Sequence, residues 1–334
     1  MYLNQVKMTM KKKTILGIQN LSISFQTQKG VFQAVNSVNL TVYEGQTLAL
    51  VGESGCGKSV TSLAMMGLLP EMARVTSGSV YLGSRDLLKY SPKEMCQVRG
   101  NEIGMIFQEP LTALNPVYTI GQQIRETILL HQDVSRSEAK KMTWELLDKV
   151  KIPDSKKRYS EYPFQLSGGM KQRVLIAMAL ACQPKVLIAD EPTTALDVTI
   201  QAQVIDLIKD LQKEMGMGVV FITHDLGVVA EVADEVAIMY AGQIIEKGSV
   251  YQIFDNPRHP YTRGLLESMP TLQTQRESKL KTIEGSVPSL FNRSEGCHFN
   301  NRCSYSKDFC KFNRPVLAQG SSDHEVACHY YKDF

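Results

Sequence analysis

The stretch GESGCGKS, which runs Gly52, Glu53, Ser54, Gly55, Cys56, Gly57, Lys58, Ser59, fits the pattern G-x-x-x-x-G-K-[ST]. Its glycines let backbone N–H groups turn inward around phosphate oxygens, and a helix that starts there offers its positive end to the anion. Lys58 can reach the β and γ phosphates, and the Ser59 hydroxyl can ligate Mg²⁺. The chemistry is nucleoside triphosphate binding, with Val60 the first residue beyond the loop.

Two further points in the chain could act on the same ligand. In VLIADEP, Asp190 closes a short apolar run, where a buried strand delivers side chains to the ligand-binding edge of an α/β sheet. Adjacent carboxylates there are costly unless a cation or a reaction uses them. Asp190 suits Mg²⁺, and Glu191 suits a general base that polarises the attacking water. In LSGGMKQR, Ser167 can cap a helix that begins at Gly168, and Gly168 and Gly169 leave N–H groups open to a second phosphate. A second anion-binding helix start makes sense when each nucleotide is sandwiched between two subunits.

Taken together, these motifs resemble the signature set of ABC-type ATPases, over roughly residues 15 to 250. The resemblance assigns roles to residues that would otherwise pass unnoticed. Gln108 in MIFQEP matches the glutamine that contacts Mg²⁺ and the attacking water, and TALD, Thr194 to Asp197, matches the loop that crosses the dimer interface. His224, after VVFIT, matches the switch histidine at the γ-phosphate. An aromatic residue stacking on adenine is implied upstream of the phosphate loop, and Phe25 in LSISF is chosen over Phe32.

The elements that must position these residues are legible in the hydrophobic pattern. LSISF and VNLTVY alternate as half-exposed strands about the turn region QTQKG, whereas TLALVG, VLIAD and VVFIT are continuous apolar runs of the kind buried on both faces. A helix through VTSLAMMGLL stops before Pro70. Met170, Val174, Ala177, Met178 and Ala181 share one helical face ending at Pro184, and Ile200, Val204, Leu207, Ile208 and Leu211 share another, ahead of a Gly216/Gly218 break. Between Gln108 and Ser167 the texture is helical, with Ala139, Met142, Leu146 and Val150 recurring on one face, and VAIMYAGQIIEKG reads as a final hairpin.

The expected fold is therefore α/β: a P-loop ABC-type ATPase core, with a parallel sheet, helices, an antiparallel β layer and a helical insert, plus a small Cys-rich C-terminal extension. The expected boundaries are 14–107 and 171–248 for the core, 108–170 for the helical subdomain ending in the signature, and 249–334 for the extension. A net charge of +3 argues against a nucleic-acid partner, and Lys11, Lys12 and Lys13 read as a solvated leader. No window approaches the roughly twenty apolar residues of a membrane span. The chain is expected at the cytoplasmic face of the cell membrane, peripherally, in contact with it through permeases only.

Of seven cysteines, Cys56, Cys96 and Cys182 are scattered and read as small packing residues. Cys297, Cys303, Cys310 and Cys328 are spaced C-x5-C-x6-C-x17-C, without the C-x2-C pairs of common zinc ribbons. Four thiolates can hold zinc or a [4Fe-4S] cluster, and His298, His324 and His329 are possible substitutes in a zinc site. A segment this polar can need a metal centre simply to fold.

GESGCGKSVTSLAMMGLLP, GMIFQEPLTALNPVYTIGQQI, SGGMKQRVLIAMAL and HPYTRGLLESMP resemble the importer ATPases that serve oligopeptides and dipeptides. That resemblance implies ATP and Mg²⁺, a second ATPase subunit that is a paralogue, two transmembrane permeases, an extracytoplasmic solute-binding protein and an iron-sulfur cluster on the four cysteines. Nickel chelates or another small solute form an alternative cargo class. Non-transport relatives in DNA repair or translation fit less well, because the insert lacks long heptads and the chain holds one core.

Overall fold

The computed structural model describes residues 13–108, 113–194, 197–269, 282–289, 291, 293–319 and 323–333. The leader ahead of residue 13, Ala195 and Leu196 of TALD, and Glu109 and Pro110 of MIFQEP lie outside the described residues.

Two sheets build the frame. β1 (Thr14–Thr27) and β2 (Gly30–Tyr43) pair antiparallel, and β1 also pairs with β4 (Ala73–Leu82), which pairs with β5 (Arg85–Asp86). The expected strand LSISF thus lies within β1, and VNLTVY forms the closing part of β2, each strand being fourteen residues long. Their alternation is visible because one face packs inward, with Leu21, Ile23, Val35 and Val38 fully buried.

The second sheet runs β11-β12-β10-β9-β3-β8-β7-β6 among the described residues. β3 (Thr47–Val51), β7 (Val186–Asp190) and β8 (Gly218–Thr223) are buried at every position, as their unbroken apolar runs demand. They lie parallel to β6 (Ile103–Ile106) and β9 (Glu235–Tyr240). β10 (Gln243–Ser249) closes the expected hairpin with β9. β4 and β6 carry no clear pattern of their own, and β6 is only four residues long.

Helices end earlier than expected. The helix Lys58–Met65 stops ahead of Gly67, which sits at φ 60°, and so well short of Pro70. The helix Gly168–Leu180 is buried on several sides, with Leu175, Ile176 and Leu180 joining Val174 and Ala177 in the core. The helix Val198–Met215 ends as its sequence indicates, at Gly216 in the left-handed conformation.

The helical insert contains Ile120–His131, Arg136–Lys149 and the short Ser155–Arg158. Ser and Thr caps with reciprocal Glu or Gln partners start the first two, at Thr119/Gln122 and Ser135/Glu138. Ala139, Leu146 and Val150 are buried and Met142 is partly buried against the same core, as the spacing predicts.

The C-terminal region is tied to the main sheet. β12 (Glu325–Val326) pairs with β10, and β11 (Ala318–Gln319) pairs with β12. Beneath them Glu246, fully buried, accepts hydrogen bonds from the backbone N–H groups of Arg258 at 2.6 Å and His259 at 2.9 Å, and lies 2.8 Å from His324 Nε2. The expectation of a tail that needs a metal to fold thus meets a tail with substantial protein contacts of its own. Among the scattered cysteines Cys56 and Cys182 are buried, whereas Cys96 is exposed and does not pack as expected.

Candidate active site

β3 runs straight into the phosphate loop. A side chain at Gly52 would collide with the Met239 carbonyl on the adjacent strand, and Gly57, at φ 114°, starts the helix Lys58–Met65 in a left-handed conformation. Lys58 is nearly buried and its Nζ folds back to donate to the carbonyls of Gly52 at 2.7 Å and Glu53 at 3.1 Å.

β7 delivers Asp190 beneath this loop. Ser59 Oγ donates to Asp190 Oδ1 at 3.4 Å, and Ser62 Oγ donates to Asp190 Oδ2 at 3.3 Å. Burial raises the Asp190 carboxyl above its ordinary value, against the opposing effect of the two serine hydroxyls. A carboxylate that is this costly to ionise, beside a serine hydroxyl, is a donor set for a hard divalent cation.

Glu191 follows with φ 47°, a left-handed conformation that turns its carboxylate out of the strand direction. Three side chains from three separate segments meet it. Gln108 Nε2 donates to its Oε2 at 2.9 Å, Thr194 Oγ1 donates to the same oxygen at 3.0 Å, and His224 Nδ1 lies 3.2 Å from Oε1. Burial pushes the Glu191 carboxyl up, but the Thr194 and His224 hydrogen bonds, the His224 charge and Gln108 outweigh it and hold the value low. Glu191 is therefore ionised at neutral pH and able to accept a proton.

A cleft of about 300 Å³ opens between these groups, lined by Ser54, Gly55, Gly57, Lys58, Ser59, Val60, Gln108 and Glu191, with Phe25, Phe32 and Ala34 on the far wall. Phe25 and Phe32 stack on each other with centroids 5.4 Å apart and planes within 2°. Phe25 also packs against the core, and Phe32 meets Phe291 edge-on at 5.1 Å. Phe32 thus shares the wall with Phe25, the residue chosen over it, and Thr194, read only as part of the TALD loop, also holds the carboxylate three residues before it.

Ser167, Gly168, Gly169 and Asp197 do not line this cleft. Ser167 accepts from Met170 N at 3.4 Å and caps its helix, with Ser167 and Gly168 exposed. Asp197 accepts from Ile200 N at 2.9 Å and caps the next helix.

At the far end of the chain, Cys297, Cys303, Cys310 and Cys328 line one small pocket together with His259 and His329. All four are free of disulfides. Burial pushes the Cys297 and Cys328 thiols up to about 11 and raises that of Cys303 as well. Among the described residues, no three His, Cys, Asp or Glu side chains are grouped as ligands of a single metal ion. His298 and His324 do not line the four-thiol pocket; His324 serves Glu246.

A phosphate loop on a parallel sheet, a buried aspartate followed by a positioned glutamate, and an antiparallel β layer with a helical insert define an ATP-binding cassette, an ATP hydrolase. A family model described as ABC transporter matches residues 35–194, and one described as oligopeptide/dipeptide transporter, C-terminal region matches residues 245–310. The chain is 52% identical over 313 residues to the oligopeptide transport ATP-binding protein OppD of Bacillus subtilis, covering 93% of this chain and 87% of that one. It is 50% identical to the dipeptide transport ATP-binding protein DppD of the same organism, over 94% of each chain. The dimeric, post-hydrolysis structure of the ATP-binding cassette MJ0796 bound to ADP and Pi superposes with a TM-score of 0.64 at 28% identity, over 71% of this chain and 99% of that one. The chain belongs to the ATP-binding proteins of ABC transporters, in the branch that carries the oligopeptide/dipeptide C-terminal region. Among the described residues, no helix is long and apolar enough to cross a membrane.

Proposed function

We propose that the chain hydrolyses ATP to drive import of oligopeptides or dipeptides through separate permease subunits. The observation that carries the catalytic part is the convergence of Gln108, Thr194 and His224 on Glu191, one residue from Asp190. The similarity to OppD and DppD, which extends through the C-terminal region, supports the cargo class.

In this reading the backbone of Gly52–Val60 and the Lys58 ammonium bind the phosphates, and Phe25 stacks on the base. Ser59, Gln108 and Asp190 would hold Mg²⁺, which would offset the negative charge of the nucleotide's phosphates. Gln108 orients the water, Glu191 takes its proton, and His224 contacts the γ-phosphate while keeping the Glu191 carboxylate in place. Ser167, Gly168, Gly169 and Asp197 serve the nucleotide of a partner ATPase, a role supported by the exposure of Ser167, Gly168 and Asp197 and by the absence of all four from the lining of this chain's own cleft.

Closure of two such subunits on ATP, and reopening after hydrolysis, would be passed through the region after Gln108 to two permeases that receive cargo from an extracytoplasmic binding protein. The partner ATPase is read as a paralogue, and the chain as peripheral at the cytoplasmic face of the membrane. We divide it into a core of 14–107 and 171–248, a helical subdomain of 108–170 and an extension of 249–334.

Cys297, Cys303, Cys310 and Cys328 would hold a [4Fe-4S] cluster. The reading is supported by four thiols that line one pocket. When bound, the cluster would staple the segment; the chain's part is to supply four deprotonated sulfurs.

The test is growth of the source cell on a peptide as sole supplier of an essential amino acid. Deleting the gene should abolish growth on the peptide but not on the free amino acid. The wild-type gene should restore it and Glu191→Gln should not. Undiminished peptide use in the deletion strain would refute the cargo class.

A further inference from the structure

Arg302, in the Cys-rich segment, points its guanidinium into the core and is 6% exposed. Nη1 donates to Glu53 Oε2 at 2.7 Å and Nη2 to Glu53 Oε1 at 3.0 Å, a bidentate pair with the second residue of the phosphate loop. Nε donates to the carbonyl of Glu284 at 3.0 Å, Nη2 also to that of Ile283 at 3.3 Å, and Nη1 also to the Tyr240 phenol oxygen at 3.5 Å, so the guanidinium is held from both sides. Tyr240 and Phe299 lie under it, with ring centroids 5.9 and 6.0 Å from the guanidinium carbon.

Glu53 is gripped a second time. Its backbone N–H donates to the phenol oxygen of Tyr261 at 3.1 Å, and Tyr261 is fully buried, 4.7 Å from Tyr240 and 5.5 Å from Phe299 between ring centroids. The carbonyl of the same residue accepts from Lys58 Nζ. One loop residue is therefore bound by its carboxylate and its N–H to the C-terminal region, and by its carbonyl to the phosphate-binding lysine.

We propose that Arg302 and Tyr261 are positioning residues for nucleotide binding: the C-terminal region holds Glu53, and through it sets the shape of the phosphate loop and the resting place of Lys58. Cys303 is the next residue after Arg302, so whatever orders the four-thiol segment also orders this clamp. The inference rests on the reading of Gly52–Val60 as the nucleotide loop. It adds a part to the site that the cassette motifs do not contain, supplied from about 250 residues away, the separation of Glu53 and Arg302 being 249.

The test is titration of the full chain with a fluorescent ATP analogue, together with kcat, KM and thermal unfolding. Arg302→Ala should weaken ATP binding about tenfold, as loss of a charge-assisted hydrogen-bond pair predicts, with kcat within about twofold. Tyr261→Phe should weaken it by a smaller factor. Because Arg302 acts through Glu53, the double variant Glu53→Ala/Arg302→Ala should bind no worse than the weaker single one. ATP should in turn slow hydrogen exchange of the 297–303 amides in the wild type and not in Arg302→Ala. Should Arg302→Ala unfold, Arg302→Lys, which keeps the charge and loses the bidentate pair, gives the same readings at smaller amplitude. Wild-type affinity in folded variants, or additive losses in the double variant, overturns the clamp. Lys58→Ala separates the two readings: if it still binds ATP the loop reading itself fails, whereas its loss of ATP beside an unaffected Arg302→Ala refutes the clamp alone.

Discussion

Gln108 and Glu191, 83 residues apart in sequence, are joined by a hydrogen bond of 2.9 Å from amide to carboxylate. The residue that opens the helical subdomain thus touches the proposed base. Removing the base while keeping this contact is the cleanest test. Glu191→Gln should lower ATP turnover by at least about a hundredfold, the loss typical of a general base, while ATP binding persists. Single-turnover assays with the purified chain read both quantities, and near-normal turnover would sink the assignment.

Ser167→Arg should leave this chain's own cleft able to bind ATP, since Ser167 does not line it. Turnover at the nucleotide facing the substituted subunit should collapse through steric block and like charge at a helix start. Loss of binding in the isolated chain would argue against a shared site.

Asp190 carries a stability cost that its function requires. Its folded-state value is raised by burial, so the folded protein prefers the protonated form; the cost of ionising it builds as pH rises from the ordinary aspartate value through the raised one and is complete above it, and acidification back through that window relieves it. Asp190→Asn should therefore melt above the wild type at neutral pH, with the gap closing towards acid, and should lose Mg²⁺-dependent turnover. Melting curves without Mg²⁺, at several pH values, decide it; a variant less stable throughout would show that the carboxylate is structural.

His324→Ala should destabilise the folded chain by about 2 kcal/mol, because it takes a hydrogen-bond partner from Glu246, a fully buried carboxylate. The two backbone donors to Glu246 remain, so the chain should still fold. Denaturant unfolding measures the loss; a change below about 0.5 kcal/mol, the surface-substitution range, would mean the pair contributes little.

The thiols of Cys297 and Cys328 lie at about 11, so any metal must displace protons to bind them. Anaerobic reconstitution with iron and sulfide should improve as pH rises from 7 to 9 and produce absorbance near 400 nm with iron in the product. One equivalent of zinc without iron, in protein purified anaerobically, would point to the smaller centre.

The parts of this protein most legible in its sequence are those where one local rule acts alone. β3, β7 and β8 are buried on both faces and show as unbroken apolar runs, and the Gly52–Ser59 loop shows because glycine, lysine and serine each have a separate task there. β6 is short and bordered by polar residues, and its partner β7 begins 83 positions later, at Val186 against Ile103, so only the assembled sheet explains it. Arg302 is the plainest case of an unreadable residue. As a lone arginine among polar neighbours it looks like a solvated charge offsetting thiolates, and only the fold carries it beneath Glu53. Phe25 and Phe32 fall between the two: the pattern supplies both, and their stacking places both on the wall of the cleft.

β12 and β11, two residues each, lie outside β10 in the main sheet. They act as a guard on an edge that would otherwise present the N–H and C=O groups of the seven-residue β10 to any passing strand. A chain cut short before Ala318 would carry its motor intact and still be difficult to handle, because it would have gained an adhesive side.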